Sequence, residues 1–79
     1  MSKSLRSERH FLLLEQLVQL RKAKGLTQEQ LANKLGKPQS FVAKYEGGER
    51  RLDVVEFLDV VDAIGADPLH ILAELKTTP

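Results

Sequence analysis

Four residues, Gln39, Ser40, Ala43 and Lys44, recur at i, i+1, i+4 and i+5 within residues 27–46, TQEQLANKLGKPQSFVAKYE. On a helix these spacings share one face. That face carries an amide, a hydroxyl, a methyl and an ammonium, with no carboxylate among them. Such groups can donate to base edges and phosphates without repelling them. The Gln39 amide suits adenine, and the Lys44 ammonium suits guanine O6 and N7. Ser40 can serve base or phosphate, and Ala43 can pack on a thymine methyl. A merely solvated helix face is polar too, so the elements that carry this one must decide between the two.

Those elements read as two short helices and a tight turn. Thr27, with Gln30 three residues on, forms a capping box that opens the first helix. Leu31, Ala32 and Leu35 follow at helical spacing as its apolar face. Gly36 supplies the left-handed residue that ends it. Pro38 cannot continue the first helix but is pre-set for the first turn of a second. Phe41, Val42 and Tyr45 make the inward stripe of that second helix. A second helix of this size after a glycine-containing turn is the helix-turn-helix plan. Gln28 falls in the first turn of the first helix, where free N–H groups and the positive helix end favour phosphate. Arg50 and Arg51 follow two glycines in a loop that can press on a sugar-phosphate backbone. Lys37 and Lys22 are the other candidates for phosphate contact.

The motifs G-L-T-Q-E-Q-L-A, then Leu35-Gly36, then Y-E-G-G-E-R-R resemble the Cro and phage-repressor class, the xenobiotic-response-element (XRE) type of helix-turn-helix protein of bacteria and phages. The resemblance spans roughly residues 13–72. It implies an all-α, five-helix, lambda-repressor-like domain with the helix-turn-helix formed by helices 2 and 3. It implies that Gln28 both meets phosphate and braces the first residue of the recognition helix. It also implies an ion pair between Arg21 and Glu46 and a homodimer interface near the C-terminal end. Pro38 departs from the pattern, which usually has Ser or Thr as the N-cap there.

The rest of the chain also reads as helices. Helix 1 is expected over about Ser7 to Lys24, with Leu13, Leu17 and Leu20 in a stripe widened by Leu14 and Val18. Arg21, Lys22 and Lys24 suit the negative end of its dipole. Asp53 and Glu56 form a second capping box. Val54, Phe57, Leu58, Val61 and Ile64 are the expected core face of helix 4, with Asp59 and Asp62 pointing away. Gly65 stops that helix, and Asp67-Pro68 opens helix 5. Leu69, Leu72 and Leu75 exceed what a small core can cover and are the candidate dimer surface, with Val55 and Val60 as possible additions. The expected organisation is a flexible basic arm over residues 1–8 with Lys3 and Arg6, a helix-turn-helix domain over 9–75 and a tail over 76–79.

With 79 residues and no cysteine, the chain is one small domain without disulfides or thiolate metal sites. Residues 1–51 carry eleven Lys/Arg against five Asp/Glu, and residues 52–79 carry one against six. A chain basic at one end and acidic at the other can orient on a polyanion, although such asymmetry also arises by accident. No run is long enough for a signal peptide or a membrane span, so a cytoplasmic protein is expected. His10 and His70 are far apart, no cofactor motif is visible, and no enzyme is expected.

The expected function is a sequence-specific DNA-binding transcriptional regulator, a repressor reading an inverted-repeat operator as a homodimer. Double-stranded DNA is then its partner. Two alternatives stand beside it. One is an antitoxin that binds a toxin protein and autoregulates its operon. The other is a protein-interaction module that has kept the scaffold and lost DNA contact.

Overall fold

Each helix begins and ends where local chemistry satisfies its free backbone groups. The computed structural model describes residues 7–78 and contains α1 (Glu8–Ala23), α2 (Gln28–Leu35), α3 (Gln39–Glu46), α4 (Val54–Ile64) and α5 (Pro68–Lys76). Among the described residues there is no strand. Lys3 and Arg6 of the expected arm lie outside them. Ser7, where helix 1 is expected to begin, is the N-cap of α1, its side chain accepting from His10 N–H. Glu8 opens the helix, and Lys76, assigned to the tail, closes α5.

Both capping boxes are formed. Thr27 exchanges side-chain and backbone bonds with Gln30, and Asp53 does so with Glu56. Pro38 is the N-cap of α3 rather than part of its first turn. It offers no side-chain acceptor there, and its carbonyl takes the Phe41 N–H at 2.9 Å. Gly36 adopts φ +68°, which lets Lys37 N–H turn back to Ala32 O at 3.0 Å. The turn between α2 and α3 is therefore only residues 36–38.

α2 packs on α3 and on α4, α1 crosses α3, and α5 closes against α1 and α4. The core between them includes Leu14, Leu17, Leu31, Val42, Tyr45, Phe57, Val60, Val61, Ile64, Ile71 and Leu75. In α1 the buried row is Leu14, Leu17 and Arg21, while Leu13 and Leu20 are only partly covered.

The expected face of α4 needs correction. Val60 is fully buried, whereas Val54 is 74% exposed and Leu58 is 40% exposed. The sequence of α4, VVEFLDVVDAI, has eight apolar residues among eleven, and Val54, Val55 and Leu58 border the arc that holds Glu56, Asp59 and Asp62. Several helical phases therefore suit a buried stripe, and the neighbours α2 and α5 select the one through Phe57, Val60, Val61 and Ile64. In α5, Leu75 belongs to the core and drops out of the expected dimer surface, while Leu69 and Leu72 remain exposed.

The two ends of the described chain are joined. Arg9 donates from Nη2 and Nε to the Thr78 carbonyl at 2.6 and 3.2 Å. No helix among the described residues is long and apolar enough to cross a membrane.

Candidate nucleic-acid interface

Which face of α3 is accessible depends on how the helix is seated. Phe41, Val42 and Tyr45 are buried, and the Phe41 and Tyr45 rings meet edge-on with centroids 5.7 Å apart. By helical geometry this turns the opposite face outward. Gln39, Ser40 and Lys44 are exposed and Ala43 is half-buried between them. The four expected base-reading residues therefore share one accessible side of α3, and no acidic side chain interrupts it.

A chain of hydrogen bonds fixes the ends of that helix. Arg21 donates from Nε to Glu46 Oε2 at 2.8 Å, from Nη2 to Glu46 Oε1 at 3.1 Å and from Nη1 to the Leu26 carbonyl at 2.7 Å. Gln28 donates to Glu46 Oε1 at 2.9 Å. Gln39 donates in turn to Gln28 Oε1 at 3.1 Å. A carboxylate can only accept, so Gln28 must present its nitrogen to Glu46 and its oxygen to Gln39. Gln39 then spends one N–H on Gln28. It keeps its second N–H and its carbonyl, the pair a two-point contact with adenine requires. Arg21 and Glu46 are both buried, so this pair fixes geometry more than it adds net stability.

The C-terminal end of α3 closes with Gly48 at φ +81°, and Glu49 N–H reaches back to Lys44 O at 2.8 Å. Tyr45 next to it is fully buried, and its hydroxyl has no hydrogen-bond partner among the described residues. Burial, reinforced by the Glu46 carboxylate, pushes the phenol well above its usual range, partly offset by Arg21.

The expected phosphate ligands divide into two groups. Lys22 and Lys37 are exposed on α1 and on the turn, and Gln28 is half-buried within the chain of bonds. Lys37 Nζ lies 5.3 Å from the Phe41 ring centroid. Arg51 is exposed on the loop. Arg50 is not an idle loop cation. Its Nη1 and Nη2 donate to Glu56 Oε1 and Oε2 at 2.9 and 2.7 Å, and its Cζ lies 4.8 Å from the Phe41 centroid. The Arg50 bonds, followed by the Asp53 N–H, hold the Glu56 carboxyl down at about 2. Sequence reasoning flagged Glu56 only as a helix cap. An arginine six residues upstream across a short loop was the available signal.

The spacing of α2 and α3, the three-residue turn and the buried brace identify the fold as a helix-turn-helix. A Helix-turn-helix family model matches residues 17–71. The chain belongs to the XRE-type helix-turn-helix family. It is 30% identical over 60 residues to the HTH-type transcriptional regulator y4dJ of Sinorhizobium fredii, covering 76% of this chain and 78% of that one. Among solved structures it is similar to an XRE-family-like protein of Pseudomonas syringae pv. tomato. The identity is 51%, the TM-score 0.85, and 90% of this chain and 88% of that chain are covered. It is also similar to the restriction-modification controller protein C.AhdI of Aeromonas hydrophila. There the identity is 34%, the TM-score 0.71, and 78% and 90% are covered. This XRE-type chain is thus a member of a family of DNA-binding transcriptional regulators.

Proposed function

We propose that the chain is a sequence-specific repressor that reads an inverted-repeat operator as a homodimer. The carboxylate-free face of α3, held by the Gln39–Gln28–Glu46–Arg21 chain of bonds, is the observation that carries this reading. α3 enters the major groove with Gln39, Ser40, Ala43 and Lys44 toward the bases. α2 crosses the backbone, its N-terminal N–H groups and Gln28 toward a phosphate. Lys22, Lys37 and Arg51 add backbone contacts.

One such domain covers little DNA and binds weakly alone. α4 and α5, which pack on each other, leave Val54, Val55, Leu58, Leu69 and Leu72 exposed. Apolar surface of this kind supports a second copy of the chain as its cover. A two-fold pair places two α3 helices about 34 Å apart, one turn of DNA. The similarity to an HTH-type transcriptional regulator supports a role in transcription control.

The test is selection of bound duplexes from a random pool with the purified chain. The reading expects an enriched inverted repeat bound by two copies. Recovery of no sequence preference, with a monomer in sedimentation, would turn the assignment toward the protein-interaction module.

A further inference from the structure

Arg50 lies on a loop that the reading above turns toward the DNA backbone, yet it is already engaged. Its guanidinium and Lys37 Nζ approach the same Phe41 ring, at 4.8 and 5.3 Å from the centroid. Arg50 is therefore beside the α2–α3 turn, where a phosphate contact is expected. Three of its five N–H donors are used: two on Glu56 and one on the Arg51 carbonyl at 3.0 Å. The Glu56 carboxylate is held independently of Arg50. Its Oε1 accepts the Asp53 N–H at 3.0 Å, and its own N–H is bound by Asp53 Oδ1 at 2.7 Å. The acceptor is fixed at a helix N-terminus, where a carboxylate is favoured. It meets Arg50 in the two-point geometry that a phosphate would otherwise offer.

We infer that Glu56 is a positioning residue that withholds Arg50 from the DNA backbone, so that an internal carboxylate competes with phosphate and lowers affinity for DNA of any sequence. The inference rests on the DNA-binding reading above. Moving Arg50 to a phosphate exchanges one charge-assisted fork for another and leaves Glu56 unpaired, so little is gained. The phosphate set then consists of Lys37, Lys22, Arg51 and the α2 N-terminus. Weak background binding helps a regulator search among competing sites.

The test is the salt dependence of binding to a fluorescently labelled duplex of arbitrary sequence. Four forms of the full chain are compared: wild type, Glu56→Gln, Arg50→Ala and the double variant. Glutamine keeps a carbonyl for the Asp53 N–H, so the cap survives the substitution. Each phosphate neutralised adds a slope of about 0.9 in log K against log salt. Wild type and Arg50→Ala are expected to share one slope. Glu56→Gln is expected to be steeper by about 0.9 per chain, an extra loss of roughly 3.5-fold between about 50 and 200 mM salt. The double variant is expected to fall back to the Arg50→Ala slope.

A flatter slope for Arg50→Ala than for wild type would overturn the inference, because Arg50 would already be on phosphate. So would an unchanged slope for Glu56→Gln, or a steepening that persists without Arg50. A wild type that shows no salt-dependent binding fails the functional reading itself, which is a different result from a failure of the variants alone. If Glu56→Gln does not fold, as judged by circular dichroism, a flatter slope for Arg50→Ala than for wild type still overturns the inference.

Discussion

Arg21 and Glu46 are 25 residues apart in sequence and meet through two hydrogen bonds of 2.8 and 3.1 Å, joining the end of α1 to the end of α3. Both side chains are at least nine-tenths buried. Arg21→Met strands a buried carboxylate and is expected to cost about 3–5 kcal/mol of stability. Arg21→Met combined with Glu46→Leu removes both charges and is expected to be less destabilised than Arg21→Met alone. Urea denaturation of the three forms checks this.

Tyr45 gives a prediction of the opposite sign. Its ring fills the core, but its hydroxyl has no partner among the described residues. Tyr45→Phe removes an unpaired buried polar group and is expected to leave stability unchanged or raise it by up to about 1–3 kcal/mol. Tyr45→Ala leaves a cavity and is expected to cost about 3–5 kcal/mol. A large loss for Tyr45→Phe in thermal melts would show that the hydroxyl is satisfied in solution.

The acid response follows from Glu56. Its carboxyl is lowered from an ordinary 4.5 to about 2, first by the Arg50 hydrogen bond and then by the Asp53 N–H. A depressed carboxyl stabilises the fold above its ordinary value and loses that contribution as pH falls toward the folded value. The Glu56 contribution is therefore full above about pH 4.5 and fades toward pH 2. Glu56→Gln is expected to melt below wild type near neutrality, with the gap narrowing through that window. A gap that is constant from pH 6 to about 2 contradicts the shift.

Gln28 and Gln39 should not act independently. Gln28→Ala releases the Gln39 amide from its 3.1 Å bond, so it is expected to relax preference at the same base position as Gln39→Ala. The double variant is expected to lose less binding than the sum of the two singles, by about 0.5–3 kcal/mol. Quantitative binding to the selected operator and its single-base variants measures this. Strict additivity would mean that Gln28 does not orient Gln39.

Much of the scaffold was legible because its signals are local. Thr27 with Gln30 and Asp53 with Glu56 mark helix starts, and Gly36 and Gly65 mark stops, through chemistry confined to four or five residues. The stripe of Phe41, Val42 and Tyr45 was unambiguous because polar residues flank it. The phase of α4 was not legible, since Val54, Val55, Leu58 and Val60 are all apolar and only packing chooses between them. Leu14 rather than Leu13 is buried for the same reason, inside the run Phe11 to Leu14. Arg50 read as a loop cation open to phosphate because its partner Glu56 already had a local role as a cap. Pairing across a loop depends on backbone direction, which spacing alone does not fix. The orphaned Tyr45 hydroxyl had no local signal at all.

Lys44 is the exposed ammonium near the C-terminal end of the α3 face. The decisive measurement is the affinity of Lys44→Ala for the selected operator and for operators changed one base pair at a time. The expected result is a loss of about 1–3 kcal/mol with relaxed preference at one base position per half-site. Wild-type affinity with an unaltered base preference would contradict the assignment of this face as the one that reads DNA.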